Sequence, residues 1–66
     1  MDDVKELAEE FARLIQERDS IPLHKQETNA RCIEIDDVLI PAIIKQIPQG
    51  TMNEFNELIN SILGEN

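Results

Sequence analysis

Val4, Leu7, Phe11 and Leu14 recur at alternating steps of three and four residues, and no other feature constrains the chain as strongly. An α-helix turns once in about 3.6 residues, so these side chains share one face. Ala8 and Ile15 widen the stripe to about 100°. The opposite face carries Lys5, Glu6, Glu9, Glu10, Arg13, Gln16 and Glu17. The spacing predicts an amphipathic helix from Asp3 to Arg18. Asp2 and Asp3 put negative charge at its start, where the helix dipole favours it. Asp3 with Glu6 has the spacing of a capping-box variant, and Glu9 with Arg13 forms an i,i+4 pair.

Beyond that helix the pattern weakens. Ile21 precedes Pro22, which pushes it out of the α region and ends the helix. Ser20 is expected to cap a second helix with Pro22 just inside it. From Leu23 to Glu34 the apolar residues are only Leu23, Ala30, Cys32 and Ile33, and two readings compete. One is a helix from Leu23 to Arg31. The other is an extended Arg31 to Ile35, with Ile33 and Ile35 on one side.

Asp36 and Asp37 read as the next helix start. Behind them Ile40, Ile43, Ile44 and Ile47 fall at i, i+3, i+4 and i+7, predicting a helix from about Asp37 to Ile47. Val38, Leu39 and Ala42 make it apolar nearly all round, the mark of a central helix. Pro41 fits within or just after the first turn if Asp36 or Asp37 is the cap. If Pro41 is itself the first helical residue, Val38 to Ile40 must be extended. Pro48-Gln49-Gly50 is a turn. Thr51 and Glu54 then have capping-box spacing, and Met52, Phe55, Leu58, Ile59, Ile62 and Leu63 form a last helical stripe, stopped by Gly64. So short a turn makes the last two helices an antiparallel pair or an angled helix-turn-helix.

Size and charge bound the rest. The chain has 66 residues, 14 acidic and 6 basic, for a net charge of -8. At 41% apolar content it is globular rather than disordered. The longest apolar run, Val38 to Ile44, contains a proline and is too short to span a membrane. The start is acidic and periodic, unlike a signal peptide. One cysteine forms no internal disulfide. These features point to one all-α domain over 1–66, a small three- to four-helix bundle in the cytoplasm. So short a chain, so rich in isoleucine, has reason to bury surface against a second copy, and homodimerisation is expected to complete it.

Chemistry is sparse. His24 and Cys32, with Glu27 or Glu34, have no spacing that makes a hydrolase triad, and no glycine-rich loop offers an oxyanion hole or a phosphate cradle. Zinc wants four Cys or His ligands, and Asp36 and Asp37 lack a calcium-loop pattern. The expectation is therefore no enzyme, no catalytic or metal-binding residue and no cofactor.

Nucleic acid is disfavoured as a partner. The last helix, read as a recognition helix, would present Asn53, Glu54, Asn56, Glu57, Asn60 and Ser61, with no Arg or Lys. An extended 30–35 before two helices echoes a ribbon-helix-helix module. From Ala30 onward, however, two basic residues face six acidic ones, the wrong sign for phosphate. An acidic mimic of nucleic acid is an alternative, since seven of the fourteen acids lie in the first nineteen residues. Lys5, Arg13 and Arg18 interrupt that strip. The favoured reading is a protein-interaction module, a small acidic regulator or inhibitor that acts by occupying a partner or by pairing with itself. Its expected interface is Ile40, Ile43, Ile44 and Ile47 with Phe55, Ile59 and Ile62, joined by Phe11 and Leu14.

Overall fold

In a computed structural model, which describes residues 3–64, the first stripe becomes α1 (Asp3–Asp19). Asp2 lies outside the described residues. Val4, Leu7, Ala8, Ala12 and Leu14 are its buried face. The Ser20 hydroxyl donates to the Glu17 carbonyl at 2.6 Å, and the Ile21 N–H reaches the Arg18 carbonyl at 3.0 Å. Ser20 thus closes the helix behind it rather than capping the one ahead. Pro22, at φ -53° and ψ 139°, stands outside α2 (Leu23–Gln26), a single turn with no buried residue.

The middle of the chain departs from both readings of its sequence. Asn29, at φ -79° and ψ 120°, is an N-cap. Its Oδ1 accepts from the N–H groups of Arg31 at 2.9 Å and Cys32 at 3.1 Å, satisfying two donors that a helix start leaves open. Behind it run α3 (Ala30–Glu34), a π turn (Ile35–Leu39) and α4 (Ile40–Gln46), one continuous helix over 30–46. The extended segment at 31–35 is therefore not formed. Asp36 and Asp37 are not a helix start but lie inside the π turn.

Pro41 explains that turn. It has no N–H to donate, and in a regular helix its ring would press on the carbonyl of Asp37. Here the Ile40 N–H donates to the Ile35 carbonyl, five residues back, so the turn is widened by one residue just before the proline. Ile40 keeps helical angles, φ -64° and ψ -48°, although it precedes a proline.

Ile47 leaves the helix at ψ 123°, and Pro48 to Thr51 form a turn closed by the Thr51 N–H on the Pro48 carbonyl. Gly50 sits at φ 89°, the left-handed position that a type II turn requires. The Thr51 hydroxyl donates to the same Pro48 carbonyl at 2.6 Å, so it fastens the turn instead of completing a capping box with Glu54. α5 (Met52–Gly64) follows and runs to the end of the described residues, so the expected stop at Gly64 lies at their edge.

All described residues in regular structure are helical; among them there is no strand. α1 packs chiefly on α5 and secondly on α4, while α4 and α5 touch each other little. Val4, Leu7, Ala8, Leu14, Ile35, Ile43, Phe55 and Ile59 form the core. At its edge Phe11 meets Phe55 edge-to-face, with ring centroids 5.5 Å apart and planes at 81°. No described helix is long and apolar enough to cross a membrane.

Candidate interaction surfaces

The fold divides the expected interface residues into three groups. Leu14, Ile43, Phe55 and Ile59 are buried in the core of a single chain. Phe11, Ile40, Ile47 and Ile62 are half-buried against that core. Only Ile44 is open, at 46% exposure. Its neighbours along α4, Ile40 and Ile47, flank it at i-4 and i+3, so one edge of α4 offers a stripe with Ile44 outermost.

Other large apolar side chains, outside the expected interface, are also exposed. Leu23 on α2 is 81% exposed, Val38 in the π turn 58%, and Ile33 and Met52 43% and 45%. Leu23 belongs to no helical stripe, which is the one sign in the sequence that it has no place in the core.

Two arginines tie the end of α1 to the helix over 30–46. Arg31 grips Glu17 with both ends of its fork, Nε to Oε2 at 2.6 Å and Nη2 to Oε1 at 3.1 Å, and reaches Glu34 at 2.6 Å. The hydrogen bond from Arg31, aided by its charge, holds the Glu17 carboxyl below the usual carboxylate range, although desolvation acts the other way. The same hydrogen bonds, to Glu17 and then Glu34, raise Arg31 further. Arg18 Nη1 donates to Asp36 at 2.9 Å. Its Nε is buried without a hydrogen bond, since Asp19 at 3.8 Å is out of reach.

Of two shallow clefts, one lies away from these ties and the other beside them. Asp3, Glu6, Leu7, Glu10 and Gln46 line one, at the start of α1. Leu23, Gln26, Glu27, Ile33, Asp36 and Asp37 line the other, between α2 and the π turn. Cys32 is fully buried and His24 exposed, so the thiol is closed to an outside substrate. Among the described residues no three His, Cys, Asp or Glu side chains converge on a metal position. Asn53, Glu54, Asn56, Glu57, Asn60 and Ser61 form an exposed face of α5 without a cation, and the helical 30–34 removes the ribbon of a ribbon-helix-helix module.

No protein-family model, curated protein or solved structure matches this chain.

Proposed function

We propose that the chain is a non-enzymatic protein-interaction module, a small acidic cytoplasmic regulator that acts sterically and completes its helical bundle by pairing with a second copy. The pairing edge is the Ile40, Ile44 and Ile47 stripe of α4. One observation carries this choice: Ile44 is 46% exposed inside 38–53, the longest stretch of the chain without an acid. Two copies each bearing -8 repel, and this stretch, which holds Lys45 and no carboxylate, adds no acid of its own to that repulsion. Val38 and Met52, also exposed, lie within it.

Sedimentation equilibrium at micromolar concentration tests the pairing. The expected mass is near twice 7.6 kDa. Ile44→Asp is expected to return it to the single-chain value with helicity unchanged, because an exposed residue contributes little to the fold. A wild-type chain that remains monomeric, or an Ile44→Asp variant that remains dimeric, refutes this edge.

A further inference from the structure

α2 buries none of its residues, and Leu23 at its start is 81% exposed. A single turn that gives nothing to the core must be held by other contacts. Gln26 supplies them: its Nε2 donates to the Arg18 carbonyl at 3.2 Å and the Ile21 carbonyl at 2.9 Å. The Arg18–Asp36 pair ties the same end of α1 to the π turn. The result is a cleft fixed in place, with Leu23 and Ile33 as its apolar walls and Glu27, Asp36 and Asp37 as the charged groups lining it. Asp36 shares Arg18. Among the described residues, neither Glu27 nor Asp37 has an ion-pair partner.

We propose that this cleft docks a cationic amphipathic segment of a protein partner. One aliphatic or aromatic side chain sits between Leu23 and Ile33, and Lys or Arg beside it faces Glu27 and Asp37. The proposal rests on the interaction-module reading and names the chemistry of the partner. Charge selects the occupant. A second copy brings -8, and two of its six basic residues, Arg18 and Arg31, are already engaged, so acids would face acids here. A neutral apolar segment would strip water from Glu27 and Asp37 and give them no partner. A basic segment is drawn in by the carboxylates and retained by its apolar anchor. Because Gln26 and Arg18 already hold the walls, little ordering is required on binding.

The test is a titration of the isotope-labelled full chain, followed by NMR, with two synthetic peptides of equal length and charge. One is built of lysine and leucine, the other of lysine and glycine. Amide shifts are expected to concentrate in 22–37, with the leucine peptide binding about tenfold tighter. Leu23→Ser and Asp37→Asn, both at exposed positions, are each expected to weaken it about three- to tenfold with the circular dichroism spectrum unchanged. Added salt weakens the remaining binding. Shifts centred on Asp3, Glu6 and Glu10, equal affinity of the two peptides, or no binding overturns the docking site, whatever the oligomeric state. Binding localised to the cleft in a chain that sediments as a monomer supports the site and removes only the pairing through Ile44.

Discussion

Replacing Pro41 by alanine and deleting Asp37, singly and together, tests whether the proline holds 35–39 in a π turn. Inside a regular helix a proline costs about 3 kcal/mol relative to alanine. In this chain the Ile40 N–H reaches back to Ile35, so the turn before Pro41 holds one residue more than an α turn. Deleting Asp37 removes that extra residue, and the helix beyond keeps its facing. The deletion leaves Pro41 in a regular helix, with an expected loss of about 3 kcal/mol. Asp37 is exposed and makes no ion pair among the described residues, so no other strong contact is lost. Pro41→Ala alone is expected to change stability by about 1 kcal/mol or less. The wide turn already avoids the clash, and buried Ile35 and Ile43 hold the register. With both changes the conflict disappears, and the double variant recovers most of what the deletion lost. The expected coupling is about 3 kcal/mol, far outside the few tenths that independent sites show. A domain this small has roughly 3–10 kcal/mol in total, so the deletion variant sits near unfolding. Urea unfolding followed by far-ultraviolet circular dichroism gives each free energy. A double variant no more stable than the deletion alone refutes the link between Pro41 and the π turn.

Asn29→Ala removes the acceptor of two helix-start N–H groups, and its expected cost is about 1 kcal/mol in the same assay, with Asn29→Asp retaining most of the stability. No loss on Asn29→Ala contradicts its capping role. Glu17 has a folded pKa below its ordinary 4.5, so its pairing with Arg31 stabilises fully above about pH 4.5 and fades as pH falls through the folded value. Arg31→Met is expected to return the Glu17 titration, followed by carboxyl NMR, to about 4.5. An unmoved titration shows that the pair does not persist in solution.

The first and last helices are legible in the sequence because each carries one uninterrupted stripe between ordinary stops. The middle helix is hidden by local rules that conflict with its period. Cys32, Ile35, Leu39 and Ile43 follow steps of three, four and four, straight through Asp36-Asp37 and past Pro41. An acidic pair and a proline normally mark a start, and the residue before a proline normally leaves the helix. The π turn satisfies both the proline and the stripe, a solution that pairwise residue rules do not contain. Asn29 immediately before Ala30 is the cap signal, yet it draws meaning only once the helix behind it is known to run on. The expected interface residues are divided between core and surface for a related reason. α4 is apolar nearly all round, and periodicity groups its residues into stripes without fixing which stripe faces α1. That packing turns Ile43 inward and leaves Ile44 outside.

The distribution of charge follows from the same packing and separates the two proposed surfaces. Of six basic residues, Arg18 and Arg31 are used to tie α1 to the helix over 30–46. Among the described residues, the acids that they do not neutralise lie at the start of α1, around α2 and the π turn, and on α5 at Glu54 and Glu57, and 38–53 holds none. Apolar residues at the surface therefore sit in two electrostatic settings. Ile44 lies where a second acidic chain can approach. Leu23 and Ile33 lie among Glu27, Asp36 and Asp37, where only a cation can approach at no electrostatic cost. Under the two proposals a single chain pairs with itself on one side and holds a basic partner on the other. Raising the salt concentration moves the two in opposite directions, since screening relieves the repulsion between copies and weakens the attraction to a cation.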